Sequence, residues 1–277
     1  MRLLSKRFSI CVASLLFGFG FAASAEAQSF AATHAKISLV AENNSLHAGQ
    51  TAMVGVLFDL EKGWHIYWVN PGDSGEPPKI QWQLPAGFQA KGIRWPTPVR
   101  LGTGTVIDYG YEGRVLLPVP IQVPADYKAA KPVTLSADIR YLICREVCIP
   151  AKAQASLAIP AAKAASAAAD RELFRSALEN SPKTWPAGWK AQASDGGGFF
   201  VVSLDTGMTE SKATFFPLEE DQIDNAAAQG VVPTARGVQI KLKKSDQLTK
   251  PIGVLKGVVV LGLGRAFEVS TPVAGKK

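Results

Sequence analysis

The run Ile139-Arg140-Tyr141-Leu142-Ile143-Cys144-Arg145-Glu146-Val147-Cys148-Ile149-Pro150 decides the fold. Its two cysteines stand four residues apart between two strand-like segments. A disulfide holds its Cα atoms within about 7 Å, so a chain that joins these thiols must turn back between them. A strand, a tight turn and a second strand supply that return, with Pro150 opening the outgoing strand or sitting at a sheet edge.

Outward from the hairpin the pattern stays β. Upstream, residues 36–41 alternate, Asn43, Asn44 and Gly49 mark turns, and 52–60 read as a buried strand. Residues 63–69 continue in that style, and 70–78, rich in Pro and Gly, form a loop. Residues 80–84 alternate cleanly, and 115–123, 133–144 and 153–159 are further strand candidates. Many short strands with frequent turn signals predict an all-β protein whose first domain, over 28–160, is an immunoglobulin-like β-sandwich. The antibody Cys…Trp…Cys spacing is absent, because these cysteines are too close together.

Downstream the character changes. An Ala-rich stretch leads into Asp170, after which Leu173, Phe174, Ala177 and Leu178 fall on one helical face, and Asn180-Ser181-Pro182 ends the helix. Residues 161–187 therefore read as a helical linker that packs an apolar stripe on a neighbouring domain. Strand candidates return at 199–204, 213–216, 238–242, 254–261 and 266–269, with a turn at Gly196-Gly197-Gly198. They form a second, smaller β domain over 188–277, a docking or structural module without cysteine or histidine.

Residues 1–27 read as a secretory leader. Arg2, Lys6 and Arg7 precede an apolar run from Ile10 to Ala23, and Ala25-Glu26-Ala27 is a small-x-small cleavage site. The run is too short and too quickly broken for a bilayer span, and Cys11 leaves with it, since no small-residue lipobox precedes it. The mature chain is expected to be exported, with no membrane span. Loss of Arg2, Lys6, Arg7 and Glu26 lowers the formal net charge from +7 to +5. The remaining lysines are scattered apart from Lys241, Lys243 and Lys244, an ordinary solvated edge, so nucleic acid is not an expected partner.

The cysteine pair admits three readings. A structural staple is common in exported proteins, but closing a loop of about five residues contributes only about 2 kcal/mol, an increment a sandwich-sized core does not need. Short bridges under strain are more easily reduced, which favours a redox pair. The Cys-x3-Cys spacing is not the Cys-x-x-Cys of a helix N-terminus, where the dipole lowers a thiol pKa. Arg145 favours a thiolate and Glu146 opposes it, so the pair suits attack by a partner's thiolate. The third reading is soft-metal binding, two thiolates with His65 holding Cu(I). His34 and His47 read as solvated and Met53 as core; with no dense Met or His motif, neither a metal nor another cofactor is expected.

Tyr141-Leu142-Ile143-Cys144-Arg145-Glu146-Val147-Cys148-Ile149-Pro150 resembles the N-terminal periplasmic domains of thiol:disulfide interchange protein DsbD and, more closely, of its relative suppressor-of-copper-sensitivity protein B. Gly63-Trp64-His65-Ile66-Tyr67-Trp68-Val69-Asn70-Pro71-Gly72, Asp108-Tyr109-Gly110-Tyr111-Glu112-Gly113 and Leu117-Pro118-Val119-Pro120 carry the likeness further. Phe215-Phe216-Pro217 and the run from Lys256 extend it over roughly 36–270. The resemblance implies a sandwich whose redox disulfide, here Cys144 and Cys148, takes electrons from the thioredoxin-like domain of a membrane thiol reductase and passes them to periplasmic thiol oxidoreductases. It also implies a cap over the sulfurs. Asp108, Tyr109 and Tyr111 fall in the matching segment, with Tyr109 or Tyr111 as the cover that must move, and His65 and Tyr67 match aromatic positions beside the cysteines. A histidine at 65 departs from the tyrosine of the best-known member. Full-length members continue into a membrane reductase and a thioredoxin domain, whereas this chain stops at Lys277. The expectation is a stand-alone periplasmic exchange partner, or alternatively a non-enzymatic copper-handling or protein-interaction module with a structural disulfide.

Overall fold

The structure, a computed structural model, describes residues 26–28, 30–102, 104–128, 131–160 and 170–275. Residues 1–25 of the expected leader and 161–169 of the expected linker lie outside the described residues. Glu26 and Ala27, also placed in the leader, fall in a short strand.

The first part of the chain supplies β1 (Glu26–Gln28), β2 (Phe30–Ala32), β3 (Ala35–Ala41), β4 (Thr51–Leu60), β5 (His65–Gly72) and β6 (Lys79–Gln83). Then come β7 (Gln89–Ala90), β8 (Val99–Leu101), β9 (Asp108–Glu112), β10 (Arg114–Gln122), β11 (Val133–Cys144) and β12 (Cys148–Ile159). They form two facing sheets. One runs β1-β12-β11-β5-β9-β8, with β6 also paired to β11; the other runs β2-β3-β4-β10-β7. Odd-numbered side chains of β11 point inward, Leu135, Ala137, Ile139, Tyr141 and Ile143 all being buried, and they meet Ile37, Leu39, Val54, Val56 and Leu117 of the opposite sheet. That alternation fixes the register, because a slip of one residue would put this apolar set in water.

Pro118 and Pro120 sit inside β10 without breaking it. Their carbonyls accept from Arg94 N and Lys91 N, so the missing N–H groups face the irregular segment around β7 and the ladder to β4 is untouched. The outer face of this sheet is covered by α1 (Arg171–Glu179), which packs Phe174, with no exposed surface, against Val40, Leu57 and Leu116. Leu173 and Ala177 flank it, and Leu178 stays about one-third exposed (36 %).

The rest of the chain forms β13 (Lys190–Asp195), β14 (Phe199–Asp205), β15 (Ala213–Pro217), β16 (Gly230–Thr234), β17 (Gly237–Lys243), β18 (Val254–Leu261) and β19 (Ala266–Ala274). Their order is β15-β18-β19-β13-β14-β17-β16, with one short parallel junction between β13 and β19. This sheet has its own core around Phe200, Val202, Ile240 and Val259. Phe216, Val258 and Ala266, however, belong to the core of the first two sheets. The two parts of the chain therefore share packed apolar surface.

Candidate redox site at the hairpin tip

Cys144 ends β11 and Cys148 begins β12, and the register pairs them directly. Their sulfurs are joined, with Cα atoms 4.1 Å apart. Cys144 also pairs with His65 of β5. Cys144 is thus flanked by strands on both sides and only 2 % exposed, whereas Cys148 is exposed. The two halves of one disulfide face different environments.

Because paired residues share a sheet face and neighbours alternate, Cys144, His65 and Tyr67 lie on the side away from the core. Tyr67, fully buried, donates its hydroxyl to Cys144 Sγ at 2.9 Å and lies 3.3 Å from Cys148 Sγ. Burial raises the Tyr67 pKa, with Asp108 adding to the rise and Ser74 opposing it, so the phenol keeps its proton and stays a donor. His65 stands edge-on to Tyr67, ring centroids 5.3 Å apart. Its Nε2 is buried without a hydrogen-bond partner and lies 3.9 Å from Asp108 Oδ2, beyond hydrogen-bond reach. Burial lowers the His65 pKa against the pull of Asp108 and Glu112. Asp108 is pushed up by burial and held back by Ser74 and His65. Both groups are shifted toward their neutral forms.

The cover over Tyr67 is the loop that follows β5. Gly75 has φ +85°, and a Cβ there would stand 2.1 Å from Tyr67 Cζ, so only glycine lets the loop lie on the ring. Ser74 ties this loop to β9: its N–H donates to Asp108 Oδ1 at 3.0 Å and its hydroxyl lies 2.9 and 3.1 Å from the two carboxylate oxygens. Asp73 Oδ2 accepts from Ile107 N at 2.7 Å, and Asp73 Oδ1 accepts from Asn225 Nδ2 at 2.8 Å. Asn70 Nδ2 donates to the carbonyls of Pro217 and Glu219. The third sheet and its loops therefore grip the same segment from behind.

The expected tyrosine cap is corrected by the structure. Asp108, Tyr109 and Tyr111 lie on β9, where Gly110 pairs with Tyr67 and Tyr111 with Ile66. Tyr109 and Tyr111 therefore point to the core face, opposite the sulfurs. The Tyr109 hydroxyl donates to Asn225 Oδ1 at 2.8 Å, and its ring packs edge-on to Trp68 and Phe216. Tyr111 donates to the Pro96 carbonyl at 2.7 Å. The side chain against the sulfurs is Tyr67, under a loop the sequence reading left without a role. Its Pro- and Gly-rich composition directly after Tyr67 was the available signal. Arg145 stands over Trp64 at 5.2 Å. Among the described residues no group of three or more His, Cys, Asp or Glu side chains is placed to hold a metal.

The comparisons agree with this geometry. Residues 37–160 match the family described as "Thiol:disulfide interchange protein DsbD, N-terminal". The N-terminal periplasmic domain of ScsB from Proteus mirabilis superposes with a TM-score of 0.66 at 18 % identity, over 88 % of this chain and 94 % of that one. The periplasmic chaperone SfaE aligns over 87 % of this chain and 100 % of its own, at 8 % identity and a TM-score of 0.24, too low to carry an argument. A search of curated proteins gives no match. No helix among the described residues is long and apolar enough to cross a membrane. Residues 37–160, which match the DsbD N-terminal family, hold the disulfide at the tip of the β11–β12 hairpin and most of the sandwich core, and form a thiol–disulfide exchange-related domain.

Proposed function

We propose that this chain is a periplasmic thiol–disulfide exchange protein that relays electrons, through Cys144 and Cys148, between the thioredoxin-like domain of a membrane thiol reductase and periplasmic thiol oxidoreductases. One observation carries the reading: the disulfide is asymmetric, with Cys148 exposed and Cys144 buried under a hydroxyl donor. A partner thiolate attacks Cys148 Sγ, the Cys144–Cys148 bond breaks, and its electron pair leaves on Cys144. The Tyr67 hydroxyl hydrogen-bonds that thiolate, which takes its proton from water. The partner's second thiolate then attacks its own sulfur in the mixed disulfide and releases Cys148 as a thiolate, which is protonated from water, the partner's two thiols having given up their protons to solvent. The net result is a partner disulfide and a protein dithiol, two electrons and two protons having moved; run backwards, the sequence reduces the next partner.

The test is equilibration of the purified protein with a redox buffer, followed by kinetics with a thioredoxin-like dithiol protein. A potential within the range of exchange proteins, together with fast transfer, supports the proposal. A potential far below about −300 mV with no transfer to any such protein marks a structural bridge and ends it.

A further inference from the structure

The face that carries the sulfurs continues along the hairpin as a groove of about 470 Å³. Leu142 pairs with Pro150 two residues from the Cys144–Cys148 pair, and Arg140 pairs with Lys152 two residues further on. Residues at these even spacings share one sheet face. Glu76 and Pro77, from the loop that covers Tyr67, and Lys79 of β6 complete its lining. The groove and the sulfurs thus share a wall.

Its charge is out of balance. Lys79 pairs with Arg140 across β6 and β11, and Arg140 with Lys152 across β11 and β12, so three cations stand side by side on three strands. Like charges directly opposite one another in a sheet are destabilising. Glu76 answers Lys79 at 2.5 Å. Among the described residues neither Arg140 nor Lys152 makes an ion pair, and Asp138, next along the face, keeps its charge but accepts from Gln154 and Gln83 instead of from either cation. A solvated strand face has no need of such a row, whereas a carboxylate laid across it would relieve the repulsion. We propose that this groove docks the cysteine-bearing segment of the exchange partner. On one side of the attacking cysteine that segment is extended, with an apolar residue about two positions and a carboxylate about four positions away, since an extended chain repeats the about 3.4 Å rise of the strands beneath it.

The proposal rests on the exchange reading, and its test separates the two. The oxidised full chain is reacted with the peptides Cys-Ala-Leu-Ala-Glu and Glu-Ala-Leu-Ala-Cys, amidated and acetylated, and with the same peptides carrying Lys in place of Glu. Each rate of disulfide opening is divided by the rate with uncharged dithiothreitol. In one of the two orders the Glu peptide is expected to react about tenfold faster than its Lys counterpart, since two unpaired cations each contribute up to about 1 kcal/mol. The ratio should fall toward one in about 1 M salt, where charges are screened beyond about 3 Å, and in the Arg140→Gln/Lys152→Gln variant. Equal Glu and Lys rates in both orders, with dithiothreitol still opening the bond, overturn the groove and leave the exchange reading standing. A disulfide that no thiol opens overturns both.

Discussion

A sulfur that leaves a disulfide as a buried thiolate has little water to solvate it, and an unsolvated charge is costly. The Tyr67 hydroxyl, 2.9 Å from Cys144 Sγ, supplies that solvation in fixed form. Hydrogen bonds to charged groups contribute about 1.5–3 kcal/mol, so Tyr67→Phe should slow opening of the disulfide by a monothiol roughly tenfold or more. It should also raise the Cys144 thiol pKa in the reduced protein. Stopped-flow rates and the ultraviolet absorbance of the thiolate read both effects, and no change in either would remove Tyr67 from the chemistry. His65 gives a pH signature. Its folded pKa lies below 6.5 because burial disfavours the imidazolium. From 6.5 down to that lowered value the unfolded chain binds more protons than the folded one, so stability falls as pH drops through the window. Asp108, raised above 3.8, acts in the opposite sense: its cost is present while it is ionised and is relieved as pH falls through its folded pKa. Chemical denaturation at about pH 7.5 and about pH 5.5 should show the native sequence losing more stability than His65→Gln. The difference has a ceiling of about 1.4 kcal/mol per pH unit for one proton.

Among the elements, β9 and the loop after β5 define the site's cover. The loop is tied to β9 through Ser74 and Asp108 and to the third sheet's loops through Asp73 and Asn225. Asn225→Ala would strand the buried Tyr109 hydroxyl and free one oxygen of Asp73, costing about 1–3 kcal/mol. Hydrogen exchange should report faster exchange of the Ser74 and Ile107 amides, which bond to Asp108 and Asp73. Unchanged protection there would mean that the second part of the chain does not hold the cover. These ties span 34 to 152 residues of sequence, so no local pattern could announce them. The strands of the first sandwich were legible for the opposite reason: in β11 the inward set alternates with solvent-facing Arg140 and half-exposed Leu142. Residues 108–111 are buried on both faces and show no alternation, so no pattern marked a strand there, and the cap was implied by the resemblance alone. Strand parity then turned Tyr109 and Tyr111 away from the sulfurs. The cysteine hairpin and its neighbours His65 and Tyr67 were legible from spacing and resemblance, but the hydroxyl that touches both sulfurs was not.

At the scale of the whole molecule, Phe216 of the third sheet packs on Trp68 and Tyr109 of the first. Trp68 and Tyr109 lie on β5 and β9, the same strands whose other faces carry Tyr67 and Asp108. Phe216→Ala should therefore cost about 3–5 kcal/mol, the range for emptying a buried aromatic site. Since the core is shared, the loss should appear as a shift of one denaturation transition rather than as a separate early one. The most direct test of the central claim, that the bridge opens by attack on Cys148, uses the Cys144→Ser and Cys148→Ser variants. Each is reacted with a thioredoxin-like protein that lacks its resolving cysteine and has been activated as a mixed disulfide with a small aromatic thiol, and the products are mapped by mass spectrometry. The account predicts a rapid, stable mixed disulfide through Cys148 in Cys144→Ser and at least tenfold slower capture through buried Cys144 in Cys148→Ser, a gap of about 1.4 kcal/mol or more. Equal capture through both cysteines, or faster capture through Cys144, would contradict it.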